Sequence, residues 1–233
     1  MSSSALYRAL ILLAAVVGLQ GCEFYYAREF NARLVDADTG QPIEGAIVVA
    51  HWQILGGLEG GNPLGEAMIM ETMTDKSGAI HFDSWSGLSW KFGGIRESRP
   101  ALLIFKNGYE YLNLTNQSRP SLIDDVILRS DWDRKTIGLQ RFKASLEEYA
   151  RVIEALDNAM RFSRFGRDCE WKRTPRMLTA IHQMANYFDS RAVSLPQWRT
   201  GGRMYRVDDV DAGSTCGSPA QYFEPFLKQE YTK

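Results

Sequence analysis

Cysteine and histidine are both scarce in this chain: Cys22, Cys169 and Cys216, and His51, His81 and His182, are the only ones in 233 residues. No pair stands at CxxC or HxxxH spacing, so the usual sequence signature of a zinc centre is missing. No metal and no cofactor is expected. A metal-dependent hydrolase using His51 or His81 as ligands is kept only as an alternative. The chain also lacks a phosphate-binding glycine loop, a dinucleotide fingerprint and a complete Gly-x-Ser-x-Gly elbow; Gly87-Leu-Ser-Trp-Lys91 stops short of the final glycine. No catalytic residue is therefore assigned, and the chain is expected to be non-enzymatic. Charge of one sign is missing too: 27 basic against 28 acidic residues give a net charge of −1. That balance gives no reason to expect a nucleic-acid partner, and none is expected. Finally, no apolar run reaches the roughly 20 residues that span a bilayer as a helix.

The longest apolar run is Ala9 to Leu19, after Arg8. At 1.5 Å per residue it reaches about 16 Å, half of a hydrocarbon core. That suits the h-region of a signal peptide, with a buried N-terminal helix as the alternative. Leu19-Gln20-Gly21-Cys22 follows and resembles the bacterial lipobox. The resemblance implies a diacylglyceryl group on the Cys22 thiol, cleavage before Cys22, and acylation of the new amino terminus by a fatty acid such as palmitate. More than one chain makes such an anchor stable. Glu23, rather than aspartate, follows the cysteine and implies sorting to the outer membrane. Residues 1–21 are then the signal and 22–29 a tether. With Cys22 used, Cys169 and Cys216 remain, and in an oxidising envelope compartment they read as one disulfide, with two free buried thiols as the alternative.

From Phe30 the chain reads as strands. Phe30, Ala32 and Leu34 alternate with polar residues, and Asp38-Thr39-Gly40 breaks the run. Ile47-Val48-Val49-Ala50 is a β-branched run, Asp75-Lys76-Ser77-Gly78 a tight turn, and Asn107-Gly108 a turn between apolar segments. Several short strands separated by turns predict an antiparallel β-sandwich over 30–130. Asp36, Thr39, Gly40, Pro42, Gly45, Ala46 and Val48, then Thr74, Asp75, Gly78 and Phe82, then Gly108 and Tyr109, resemble the carboxypeptidase regulatory-like domain. That resemblance implies a transthyretin-like (prealbumin-like) sandwich with an accessory, non-catalytic role. Two segments, 52–65 and 84–99, read as long loops rich in Gly and Trp. Trp52, Trp85 and Trp90 could there form a platform for a glycan or peptidoglycan, or pack as lids over the core. Asp36 in "DADTG" and Asp208 in "DDVDAG" lack the distal glutamate of a calcium loop and read as turns.

The period then changes. Leu146, Tyr149, Ile153, Leu156 and Met160 stand three and four apart, with Ser145 and Glu148 as a capping box and Gly166 as a stop. A second helix starts at Thr174-Pro175 and buries Met177, Leu178, Ile181, Ala185 and Phe188. The expected architecture is thus α+β: a sandwich followed by a helical extension over 131–233, with an irregular tail from Arg191. The expected role is that of a lipid-anchored envelope protein at the outer membrane. Its partners would be the membrane, through the lipid, and an envelope protein or glycan.

Overall fold

The structure is a computed structural model that describes residues 23–56, 62–89, 93–95, 100–117, 127–164, 168–193, 204, 206–210 and 215–232. Among these residues are eleven strands, β1 Glu23–Ala27, β2 Phe30–Asp36, β3 Ile47–Gly56, β4 Asn62–Met73, β5 Ala79–Phe82, β6 Trp85–Ser89, β7 Gly93–Ile95, β8 Ala101–Phe105, β9 Leu112–Leu114, β10 Ile127–Leu128 and β11 Lys135–Leu139. Helices α1 Leu146–Ala159, α2 Arg161–Arg164, α3 Pro175–Ser190 and α4 Pro219–Leu227 follow, with 3-10 turns at Glu170–Arg173 and Val207–Asp209.

One layer is the sheet β4-β3-β8-β9, with β7 also paired to β3. Opposite it lie two three-stranded sheets, β10-β1-β6 and β11-β2-β5. They run on from one another: β1 continues into β2, β5 into β6, and β10 into β11. The two form one layer with a bend at a common level. Phe30, Leu34, Phe82 and Leu139 from this layer meet Val48, Ala50, Trp52, Leu102 and Ile104 from the other. This is the sandwich core.

The β4-β3-β8-β9 sheet is buried on its other face too. Ile47, Val49, Leu103 and Phe105 point away from the sandwich core and pack with Ile153, Leu156, Met177, Ile181 and Phe188 of the helices. The described residues therefore form three layers: the bent sheet, the β4-β3-β8-β9 sheet and the helices. The sequence explains the middle layer. β3 and β8 carry the continuous apolar runs Ile47–Ala50 and Ala101–Phe105, which a sheet covered on both faces requires. β2, covered on one face, alternates buried and exposed residues. Tyr149 fixes the helices laterally. Its hydroxyl donates to Asn107 Oδ1 at 3.0 Å and accepts the Gly108 N–H at 2.8 Å, joining α1 to the turn after β8.

Sandwich and helices stand in the predicted order, with several corrections. Residues 23–27, expected within a tether, form β1, whose Tyr25 and Ala27 are buried. The sandwich is not wholly antiparallel, because β10 pairs with β1, and β11 with β2, in parallel. β11 also lies beyond the predicted boundary at residue 130. Much of both expected loops is strand: β3 runs to Gly56 and pairs through Gln53↔Glu66 and Gly56↔Asn62, while β6 pairs with β1 and β7 with β3. Register shifts beside Gln53 and Ile54 absorb the glycine- and proline-bearing β4 end. The tail beyond Arg191 holds a 3-10 turn and α4, with Phe223 fully buried.

Both predicted helices are present. Ser145 Oγ accepts the Glu148 N–H at 3.2 Å and Glu148 Oε2 accepts the Ser145 N–H at 3.1 Å, a reciprocal cap. In α3 all five expected apolar residues are buried. The expected cap at Thr174 is not made. Its hydroxyl bonds Ser163 Oγ at 2.6 Å, and the donors of α3 turn elsewhere.

Candidate functional site

The predicted site residues disperse. Trp52 and Trp85 are 1% and 7% exposed and meet edge to face, ring centroids 5.4 Å apart, inside the sandwich core. Each lies on a strand, β3 and β6, and points inward. Of the two readings of these residues, packing with the core is the one Trp52 and Trp85 follow, and the two do not form an exposed platform. Their indole N–H groups have no hydrogen-bond partner, so their contribution is apolar packing. Trp90, Gly166, Cys22 and the expected signal 1–21 lie outside the described residues.

Cys169 and Cys216 form the expected disulfide, with Cα atoms 5.6 Å apart. It ties the connection between α2 and α3 to the segment before α4. Trp171 sits beside it, fully buried against Phe223 (5.6 Å) and Tyr222 (5.1 Å). Bridge and aromatic cluster together hold α4 on the helical layer.

The histidines occupy three unrelated places. His51 is buried on β3, with Nδ1 2.9 Å from Glu66 Oε2 and its ring stacked on Phe162 at 4.0 Å. Glu66 also accepts from Gln53 Nε2 at 3.1 Å. His81 is exposed on β5, between Asn31 Oδ1 (2.8 Å) and Asp83 Oδ1 (3.0 Å). His182 is on α3, where its Nδ1 accepts the Val207 N–H at 3.3 Å. Burial and the nearby Arg206 charge push its pKa down. Among the described residues, no three His, Cys, Asp or Glu side chains gather where a metal ion could sit.

The best-built polar cluster centres on Asp36, 2% exposed. Oδ1 accepts the N–H groups of Asp38 (3.1 Å) and Thr39 (3.0 Å), closing the turn after β2. Oδ2 accepts the Tyr109 hydroxyl at 2.9 Å and faces Arg141 Nε at 2.6 Å. The Arg141 guanidinium lies over the Tyr109 ring, 5.1 Å from its centroid. Burial pushes the Asp36 carboxyl up. The Tyr109 hydroxyl, the Thr39 groups and the Arg141 charge outweigh it and bring the pKa to about 2. Three distant segments are thereby pinned together, and a permanently ionised, fully engaged carboxylate is a structural tie rather than a proton carrier.

One groove of about 550 Å³ opens where edge strands β4 and β5 approach, lined in part by Met68, Met70, Glu71, His81, Asp83 and Arg173. Among the described residues that line it, Thr72 is the lone hydroxyl and none is a thiol. Glu71 turns away from solvent; its side chain is 2% exposed. Its Oε2 accepts the Arg176 N–H at 3.0 Å and its Oε1 the Met177 N–H at 2.8 Å, so β4 supplies the missing cap of α3. Burial raises the Glu71 pKa to about 7 against those N–H groups and the Arg176 charge. Sequence reasoning missed this cap because it spans more than 100 residues and a glutamate in a strand carries no capping signal. The groove's lining includes the cation of Arg173, the carboxylate of Asp83 and the thioethers of Met68 and Met70.

No family model matches the chain, and no curated protein matches it. Solved structures show partial likeness. The chain is similar to 3-chlorocatechol 1,2-dioxygenase from Rhodococcus opacus 1CP at 13% identity and TM-score 0.26, over 52% of this chain and 61% of that one. It is similar to the shaft pilin spaA from Lactobacillus rhamnosus GG at 11% identity and TM-score 0.27, over 52% of each chain. The 9R-lipoxygenase from Cyanothece PCC8801 shares 11% identity at TM-score 0.25, over 75% of this chain and 25% of that one. The chain thus spans about three fifths and about half of the first two. At such TM-scores the likeness carries no argument about activity.

Proposed function

We propose that the protein is a lipid-anchored, non-enzymatic envelope protein whose transthyretin-like sandwich and helical layer hold or dock another envelope component. The observation that carries the reading is Leu19-Gln20-Gly21-Cys22 directly after an eleven-residue apolar run. The Cys169–Cys216 bridge supports it, since such bonds persist in oxidising compartments. Glu23 supports the outer membrane as destination.

The resemblance to the carboxypeptidase regulatory-like domain gains a physical rationale. Asp36 and Tyr109, from the first and last segments that carry it, are hydrogen-bonded to each other. Gly78, from the middle segment, has φ +76° and lies so close to β2 that a Cβ there would stand 2.3 Å from the Leu34 carbonyl oxygen. Residues that do such work suit an accessory scaffold.

Two experiments test the reading. Cys22→Ser is expected to leave an uncleaved or soluble form, and unchanged membrane partition would contradict it. Affinity capture of the full chain from solubilised envelope is expected to recover a defined envelope component. Recovery of none across several growth conditions would count heavily against a docking role.

A further inference from the structure

Six large apolar side chains stand well exposed among the described residues, and three of them share one face of one sheet: Phe24 (52%), Tyr26 (39%) and Leu88 (62%). β1 alternates, with Tyr25 and Ala27 turned into the core and Phe24 and Tyr26 turned out. Register places Leu88 opposite Phe24, and both Ser86 and the half-buried Ile127 beside Tyr26. The resulting patch crosses β6, β1 and β10; its members Phe24, Tyr26, Ser86, Leu88 and Ile127 are uncharged, and among the described residues the exposed Arg28 and Arg129 follow at its edge.

From this patch we infer that the outer face of the β10-β1-β6 sheet rests in the headgroup layer of the membrane that holds the chain's own anchor. The inference depends on the reading of Cys22 as the lipidated residue. Cys22 directly precedes β1 in the chain. Two residues of extended backbone span at most about 7 Å, so an acyl chain on Cys22 holds Phe24 within that distance of the lipid. β1 leaves little slack, because it pairs with β6 from Glu23 to Ala27 and with β10 at Tyr26 and Ala27. A rigid sheet held that close brings its outward side chains to the interface, and those side chains suit it. Phe, Leu and Ile enter the acyl boundary, and Tyr places a ring there with its hydroxyl in the wet layer. Exposed to water, the same patch would be an association liability.

The seat also orients the molecule. The helical layer covers the far face of the opposite sheet, so it points away from the bilayer. Its free surface and the groove by Arg173 are then what an envelope partner meets.

The test uses the acylated full chain in phosphatidylcholine vesicles whose lipids carry bromine near the headgroup. Phe24→Trp and Leu88→Trp are each compared with Tyr187→Trp, an exposed position on α3, after subtraction of the parent emission. A tryptophan seated about 5–10 Å into the headgroup boundary is expected to lose roughly half or more of its added emission at position 24 or 88, with little loss at 187. Raising the salt is expected to change nothing, because the contact is apolar. Equal, weak quenching at all three positions, with mass spectrometry showing acylated Cys22, overturns the seat and leaves the anchor standing; a second copy covering the face gives that result. A free Cys22 thiol in the same sample instead removes the anchor, and the inference with it.

Discussion

At the scale of single residues, buried charges decide more than exposed ones. Arg164 and Asp157 are 5% and 2% exposed in their side chains; they meet at 2.6 Å, and Arg164 Nη2 also donates to the Asp157 carbonyl at 2.8 Å. Removing one partner leaves an ion in the helical core. Asp157→Ala is expected to cost about 3–5 kcal/mol in urea unfolding, and Asp157→Leu combined with Arg164→Met much less. Equal losses would mean the pair matters for shape rather than charge. Glu71 gives a pH signature. It holds its proton to about 7 in the fold against 4.5 for an unperturbed glutamate. The folded state binds more proton between those values, so the stability contribution is complete below 4.5 and is lost as pH rises through 7. The loss is on the order of 3 kcal/mol. Glu71→Gln is expected to flatten that slope in unfolding measurements. A slope that persists would show that it comes from another group and not from Glu71.

At the scale of elements, local patterns were readable and partnerships were not. The Ser145–Glu148 box and the α3 stripe are short-range codes, and the structure reproduces both. Ser145→Ala is expected to lower stability by about 1 kcal/mol in thermal or urea melts; no change would mean α1 is held by packing alone. Ile47–Ala50 and Ala101–Phe105 already carried the mark of double burial, a run without polar alternation. What covers the second face was not legible, because helix stripes do not name the sheet they meet. Parallel pairing of β10 and β11 escaped notice for the same reason: strand order is set by long connections, while turn residues announce only hairpins. The site was the least legible part. Tryptophan beside glycine suggests a binding loop, yet Trp52 and Trp85 fill the sandwich, since large aromatic area drives burial first.

At the scale of the whole molecule, packed layers and the Cys169–Cys216 crosslink tie the elements together. The Cys169–Cys216 bridge closes a sequence separation of 47, and chain-entropy reasoning gives about 4 kcal/mol for such a loop. Reduction, or Cys169→Ala with Cys216→Ala, is expected to loosen α4 and the Val207–Asp209 turn first, read as faster hydrogen exchange there than in β3 and β8. Uniform exchange would contradict that order. Double burial of β3 and β8 makes the helical layer part of the same core, so the sandwich expressed without residues 140–233 is expected to aggregate. The central claim is attachment through Cys22, and intact-mass spectrometry of the protein extracted from membranes tests it most directly. The account predicts a chain that begins at Cys22 and carries the diacylglyceryl group and one further acyl chain. A chain that still carries residues before Cys22, or a Cys22 with a free thiol, would contradict it.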